Sequence, residues 1–144
     1  MMIFTPKIAA LNSNPPLFFS TVNRIINYLA WSDPSFLTLL SSEAVDLEIS
    51  KIPDDDRKQK VMLLSLISKR NIVIDDGIKN RAKELYKLGF KSFDAFHIAC
   101  AEKGQADALL TTDDYLLKKA ISQREFIKVK LVNPLKWLME EFIK

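Results

Sequence analysis

The stretches Ser92-Phe93-Asp94-Ala95-Phe96-His97-Ile98-Ala99 and Leu109-Leu110-Thr111-Thr112-Asp113-Asp114 decide the fold of this 144-residue chain. Each stretch has an acidic residue where a helix is predicted to begin. Asp94 opens an apolar helix, and Asp113 follows a short buried strand and precedes the next helix. Backbone N–H groups and the helix dipole stabilise negative charge at such places. Taken singly, each Asp is explained by helix capping. If both residues lie at the carboxyl ends of strands, where open α/β sheets bind ligands, they could share a divalent cation, and phosphate would be the other ligand of that cation.

The composition indicates a single globular domain spanning residues 1–144. Hydrophobic residues make up 48% of the chain and charged residues 27%, which excludes extended disorder. No apolar run reaches the roughly 20 residues that a membrane-spanning helix needs. The chain has one cysteine, Cys100, which excludes an internal disulfide framework and fits a reducing cytoplasm. A formal charge of +3 permits contact with nucleic acid but does not argue for it.

Hydrophobic spacing alternates between strand and helix periods along the chain, which predicts a mainly parallel sheet covered by helices on both sides. The predicted strands are Phe36–Leu40, Ile72–Ile74, Ala108–Thr111 and Ile127–Leu131. Two helices are predicted at 22–29 and 61–69, and the predicted helix caps are Ser42, Asp75 or Asp76, Ser92, Asp113 and Asn133. A last helix starts at Pro134 and is predicted to pack through Leu135, Leu138, Met139 and Phe142.

Glu48 breaks the polarity pattern of its own predicted helix. Val45, Ile49 and Ile52 form the inward-facing stripe, and Glu48 lies on or beside that stripe. An unpaired carboxylate would be costly there. Two explanations stay open at this point: an Arg or Lys neutralises Glu48, or Glu48 faces the same pocket as Asp94 and Asp113 and helps to hold a cation.

In their order and spacing, three segments resemble the core of a PIN domain, the VapC-like nuclease fold: Ser42–Ile49, Asp94–Ala99 and Leu110–Leu117. The matching features are an acid after an early strand-to-helix turn, an Asp that opens a helix, and a T-x-D sequence after the next strand. The resemblance extends from Phe36 to the C-terminus and includes Val132-Asn133-Pro134. It implies a three-layer α/β/α PIN-like fold with a mainly parallel central sheet.

The same resemblance implies a catalytic and metal-binding role for three acids. Glu48 resembles the second acid of the family, Asp94 the third and Asp113 the fourth, while Thr111 resembles the hydroxyl residue that supports the last acid. In that family the acids bind Mg²⁺ or Mn²⁺ and activate water to cut RNA. The implied function is a metal-dependent endoribonuclease of toxin–antitoxin type.

Two further residues are predicted to support this site. Ser42 caps the helix that carries Glu48, and His97 lies three residues after Asp94 on the next helix. His97 either touches the site or is a partly buried histidine in helix packing. Asp114, next to Asp113, is expected to face solvent or to cap its helix.

The N-terminal segment, residues 1–35, departs from the family pattern. PIN domains usually begin with a hydrophobic strand that ends in an Asp, often as D-T-N, but no Asp or Glu precedes Asp33 here. Met1–Phe4 is predicted as that strand, and Lys7 is predicted to occupy the acid's place if Leu11-Asn12 matches the Leu-Asn of some relatives. The lysine ammonium would then replace the metal ion electrostatically, and Mg²⁺ or Mn²⁺ would bind weakly or not at all. The segment is either diverged or the product of an altered reading frame or start.

Three functions therefore stay open. The first is a cytoplasmic, prokaryotic PIN-like ribonuclease, impaired by loss of the first catalytic Asp, with an RNA substrate, an antitoxin partner and a homodimeric state. The second is an inactive PIN pseudo-nuclease that acts as a protein- or RNA-binding module. The third is a phosphate-transferring or phosphohydrolase α/β domain that uses Asp94 and Asp113, which is disfavoured because the three glycines of the chain form no phosphate-binding loop.

Overall fold

The structure is a computed structural model that describes residues 7–11, 37–51, 53–56, 58–59 and 70–142. The helices predicted at 22–29 and 61–69 and the strand predicted at Met1–Phe4 lie outside these residues.

In the described part of the chain, five parallel strands form one sheet with the order β3-β2-β1-β4-β5. The prediction of a parallel sheet is therefore confirmed, although predicted strand ends are displaced by up to three residues. The strands are β1 (Lys7–Leu11), β2 (Leu37–Ser42), β3 (Arg70–Ile72), β4 (Ala108–Leu110) and β5 (Lys130–Val132).

In the described residues, helices follow β2, β3, β4 and β5, and the arrangement is α/β/α. Starting from β1, strands β2 and β3 are added on one side of the sheet, and β4 and β5 are added on the other side. Because crossovers between parallel strands are right-handed, the helices of these two halves lie on opposite faces of the sheet. Over the described residues, no helix is both long and apolar enough to cross a membrane. The helices are α1 (Glu43–Ser50), α2 (Asp76–Lys87), α3 (Ser92–Lys103), α4 (Asp114–Ser122), a 3₁₀ turn (Arg124–Phe126) and α5 (Pro134–Phe142).

The register of β1 shows that the prediction for Lys7 is wrong. Lys7 begins β1 and pairs with Leu37, the first residue of β2, whereas Leu11 at the other end pairs with Leu110, the last residue of β4. At about 3.3 Å per residue, the backbone of Lys7 starts about 13 Å from the carboxyl edge of the sheet. Lys7 therefore does not occupy the place of a strand-ending acid, and the residue that follows β1 in sequence is Asn12.

The central helix of the core is α3, which is buried on most of its faces. It packs against α2 and contacts α1, β2 and β4. Small residues allow this close packing: the buried set includes Ala95, Ala99, Cys100 and Ala101. Where α3 ends at Gly104, a Cβ atom would lie 2.7 Å from Cδ1 of Leu40, so the helix end approaches β2 too closely for a side chain.

The helix starts are local structures, and most follow the sequence. Ser42, Asp113 and Asn133 each accept a backbone N–H bond from the first turn of the following helix, as expected. The prediction for Ser92 is wrong, because Ser92 is the first residue of α3 rather than its cap. Lys91 holds the cap position with no side-chain hydrogen bond, and its carbonyl oxygen accepts from the N–H of Ala95.

The C-terminal helix α5 packs on a different face from the predicted one. Trp137 is buried, whereas Leu135 and Met139 are exposed, so the predicted inward face is wrong for those two residues. The side chains of Leu138 and Phe142 lie outside the described part of the structure. The correct face starts at Pro134, which is itself buried, and continues one turn later at Trp137.

Candidate functional site

The predicted acids lie on elements that meet at the carboxyl edge of the sheet. Glu48 is on α1, which follows directly on β2, Asp94 is in the first turn of α3, and Asp113 comes after the end of β4. The strand order reverses between β1 and β4, and such reversal points form ligand-binding crevices in open α/β sheets. We call Glu48, Asp94 and Asp113 the acidic cluster.

Electrostatic coupling connects the members of the acidic cluster. Burial of Asp94 is the main cause that raises the pKa of its carboxyl group, and the negative charges of Asp113 and Glu48 raise that pKa further. His97 and Lys91 act in the opposite direction. Both other acids are therefore near enough to Asp94 to disfavour its ionised form.

Two hydrogen bonds hold Asp113, one through its side chain and one through its backbone N–H. Its Oδ1 accepts from the N–H of Leu116 at 3.2 Å, and its own N–H donates to Oγ1 of Thr111 at 3.1 Å. Thr111 is fully buried and is attached to the sheet by its N–H, which donates to the carbonyl of Val132 at 3.1 Å. The hydroxyl of Thr111 therefore contacts the backbone of Asp113, and the supporting role of Thr111 and the catalytic role of Asp113 stay predictions.

Glu48 contacts a histidine, His97. Its Oε1 lies 2.7 Å from Nε2 of His97, and the histidine is buried between α3 and its neighbours. His97 is thus both a packed core residue and a direct contact of the acidic cluster. Ser42 acts one step further away, because its hydroxyl caps the helix that carries Glu48.

Two exposed lysines near the acidic cluster were not identified from the sequence. The Nζ atom of Lys51 lies 4.5 Å from the ring centre of Phe93, and that of Lys91 lies 4.8 Å from the ring centre of Tyr115. Cation–π contacts of this kind hold the charge in place. The position of Lys91, three residues before Asp94 at a helix start, is the sequence signal that could have singled it out. We call Lys51 and Lys91 the basic rim.

The carboxylate oxygens of the acidic cluster are the kind of donor that hard divalent cations prefer, but within the described residues their placement does not form a metal-binding set. Mg²⁺ and Mn²⁺ prefer carboxylate oxygens, and a cation would relieve the repulsion that raises the pKa of Asp94. Among residues 37–51, 70–142 and the other described residues, no group of three or more His, Cys, Asp or Glu side chains forms a set that could hold a metal ion. Asp114 is exposed, as predicted.

Comparison with solved structures identifies the fold. The chain is similar to VapBC2 from Rickettsia felis bound to a DNA fragment from their promoter, with a TM-score of 0.54, 19% identity and coverage of 88% of this chain and 98% of the other. It is similar to VapBC-1 from nontypeable Haemophilus influenzae, with a TM-score of 0.56, 17% identity and coverage of 89% and 98%. It is also similar to PAE2754 from Pyrobaculum aerophilum, with a TM-score of 0.53, 14% identity and coverage of 96% and 98%.

No protein-family model and no curated protein matches the sequence. The likeness is therefore one of three-dimensional structure, and it spans nearly the whole of each solved chain. The chain has the α/β/α PIN-like fold that the VapBC structures share.

Proposed function

We propose that this chain is a PIN-like, metal-dependent endoribonuclease of toxin–antitoxin type with reduced activity. The observation that carries the proposal is the coupling of Asp94 with Asp113 and Glu48 at the carboxyl edge of a PIN-like sheet. Functional sites are where burial and like charges are found together to shift pKa values. A fold that keeps the buried carboxyl group of Asp94 next to the negative charges of Asp113 and Glu48 sacrifices stability there, which is typical of a cation-binding site.

In this proposal each described residue has one task. Glu48, Asp94 and Asp113 would hold Mg²⁺ or Mn²⁺, and the ion would supply a water molecule of lowered pKa for hydrolysis of a phosphodiester. The hydrogen bonds to Leu116 and Thr111 fix the carboxylate of Asp113 against the start of α4. The N-terminal end of α3 adds a favourable field for the ionised form of Asp94.

The basic rim supports RNA as the substrate. Lys51 and Lys91 are exposed, and Lys91 is near enough to influence the pKa of Asp94. Ammonium groups next to a site for divalent cations would hold the phosphates on either side of the bond to be cut. The likeness to VapBC structures supports an antitoxin partner, and we extend the proposal to a homodimer in a reducing cytoplasm.

The reduced activity is inferred from the residue that follows the central strand. In PIN domains this strand ends in an Asp, whereas here Leu11 is followed by Asn12-Ser13-Asn14. Asn12 lies outside the described residues, and only its place in the sequence identifies it as the residue after β1. An amide at that place supplies a neutral oxygen instead of an anionic one and lowers the affinity for a divalent cation.

The second candidate is an inactive PIN pseudo-nuclease that binds protein or RNA. It is favoured by Asn12 and by the Glu48–His97 contact, which already occupies one carboxylate oxygen of the acidic cluster. The two candidates differ in one measurable property, which is metal-dependent cleavage of RNA.

The test is a Mn²⁺ titration by calorimetry together with an RNA cleavage assay on the full chain. The variants are Asp113→Asn, Asn12→Asp and, as a matched control, Asp114→Asn, which removes the same charge from the exposed neighbouring residue. We expect weak Mn²⁺ binding and slow cleavage for the wild type, stronger binding and faster cleavage for Asn12→Asp, loss of both for Asp113→Asn, and no change for Asp114→Asn.

Each other outcome has a definite reading. Cleavage that survives Asp113→Asn refutes the assignment of the site. Fast wild-type cleavage that Asp113→Asn abolishes keeps the site and refutes the reduction in activity. Absence of Mn²⁺ binding and of cleavage in both the wild type and Asn12→Asp refutes the nuclease and leaves the pseudo-nuclease.

A further inference from the structure

A small cavity lies between the carboxyl end of β2 and one face of α3. Its volume is about 10 Å³, and its lining includes Ser41, His97 and Cys100. Ser41 exposes 3% of its surface and His97 exposes 2%. Among the described residues, the buried side-chain polar atoms without a hydrogen-bond partner are Oγ of Ser41 and Nδ1 of His97, and both residues line this same cavity.

The size and polarity of the cavity suit a single water molecule. A water needs roughly 10–15 Å³ of accessible volume and two to four polar partners. Buried polar atoms of native proteins nearly always have a partner, and a buried water commonly supplies it. Two unsatisfied polar atoms in one cavity of this size would both be satisfied by the same molecule.

The hydrogen bond on the other side of the imidazole ring determines its tautomer. A carboxylate only accepts hydrogen bonds, so the 2.7 Å contact requires that Nε2 of His97 carries a proton and donates it to Oε1 of Glu48. A neutral imidazole has one N–H, which leaves a lone pair on Nδ1. In the neutral ring Nδ1 is an acceptor, and a water in the cavity can donate to it.

We propose that one buried water bridges Oγ of Ser41 and Nδ1 of His97, and that this water-held histidine is the positioning residue of Glu48. The water and the carboxylate hold the ring from its two nitrogens, so that the ring cannot flip without losing both hydrogen bonds. The ring in turn holds Oε1 of Glu48, whose side chain is half-buried on α1.

The expected effect of His97 on the affinity for a cation rests on the function proposed above, whereas the water site and the tautomer of His97 do not. Groups that orient a metal ligand through a hydrogen bond typically change metal affinity 10- to 100-fold when they are removed. Loss of the His97 donor is therefore expected to weaken Mn²⁺ binding by about tenfold or more.

The first test is nuclear magnetic resonance on the full metal-free chain with ¹⁵N-labelled histidine. The chain has one histidine, so the spectrum reports on His97 alone. We expect a proton on Nε2, none on Nδ1, and magnetisation transfer between the ring environment and a long-lived water. Ser41→Ala should remove that water signal, and Ser122→Ala, at the exposed end of α4, should not. A proton on Nδ1, or no bound water in the wild type, overturns the proposal.

The second test separates positioning from packing. His97→Gln keeps an N–H donor near the position of Nε2, whereas His97→Leu keeps comparable bulk without a donor. Crystal structures of the metal-free variants should show Glu48 in one rotamer with Gln and in several with Leu, and Mn²⁺ titration should show the affinity loss for Leu alone. The same Glu48 rotamer in both variants refutes the positioning role. This readout does not need a metal ion, so it tests the positioning role even if the wild type binds no Mn²⁺ and the proposed function fails. If His97→Leu does not fold, Ser41→Ala replaces it, with the expected result that Glu48 becomes mobile while the Nε2 proton remains.

Discussion

Arg81→Met is expected to lower the free energy of unfolding by about 3 kcal/mol, because it leaves a buried carboxylate nearly unpaired. Glu102 on α3 exposes 7% of its side chain. It accepts from Nε of Arg81 at 2.7 Å, from Nη2 of Arg81 at 3.2 Å and from the backbone N–H of Lys128 at 2.8 Å. Arg81 also donates to the carboxylate of Glu84 and to the carbonyl of Phe126. These contacts attach α2 and the segment before β5 to the end of α3.

The magnitude follows from what remains after the substitution. Glu102 would keep one donor of three, and breaking a buried ion pair by removing one partner costs about 3–5 kcal/mol. We take the lower end because the side chain of Arg81 is 22% exposed, so that water recovers part of the loss. The bond to Glu84 adds less than about 1 kcal/mol, since that carboxylate is exposed.

The measurement is urea unfolding at neutral pH. With a slope of about 2 kcal/mol per molar urea for a chain of this size, the midpoint should fall by about 1.5 M. Lys130→Met is the matched control, because it breaks an ion pair of 3.0 Å with Glu140 in which the lysine side chain is 55% exposed. That control should change the midpoint by less than about 0.5 M.

A double variant sharpens the test. Arg81→Met combined with Glu102→Met removes the unpaired charge as well as the pair, so it should be more stable than Arg81→Met alone. The reasoning is refuted if Arg81→Met shifts the midpoint no further than Lys130→Met, or if the double variant is the less stable of the two.

Two further predictions concern the core and the acidic cluster. Gly104→Ala should lower the free energy of unfolding by about 1–3 kcal/mol, because the new Cβ would lie 2.7 Å from Cδ1 of Leu40 and 3.1 Å from Cδ1 of Ile72. Gly77→Ala, in the exposed first turn of α2, is the control and should change it by less than about 1 kcal/mol; equal urea midpoints for the two would contradict the packing argument. Asp94→Asn should stabilise the metal-free protein at neutral pH. The pKa of Asp94 is raised above its ordinary value of 3.8, so its ionisation costs folding stability as the pH rises through the folded pKa. In urea unfolding with a chelator present, the stability gain of the variant should therefore grow as the pH rises from the ordinary value of 3.8 through the folded pKa, and a pH-independent difference would contradict it.

The sequence by itself determined the local features of this protein. Ser42, Asp113 and Asn133 cap helices through contacts to residues two or three positions later in the chain, and such contacts depend on residue type and spacing alone. The alternation of strand and helix periods was likewise sufficient for a parallel sheet, because parallel neighbours require crossover connections. Asp94 and Asp113 were found for the same reason, since each lies at a helix start.

Only the tertiary structure decided which distant residues meet. The prediction for Lys7 is wrong because the ends of β1 are determined by its pairing with β2 and β4. The sequence of a five-residue strand does not show which residues of other strands it pairs with. Glu48 was correctly singled out as an inward-facing acid, but its contact with His97, 49 residues away on another helix, was not predicted. Which side of a helix faces inward can be predicted from the spacing of hydrophobic residues along that helix alone. The identity of the side chain that meets it depends on how two helices are packed, which the sheet and its crossovers determine.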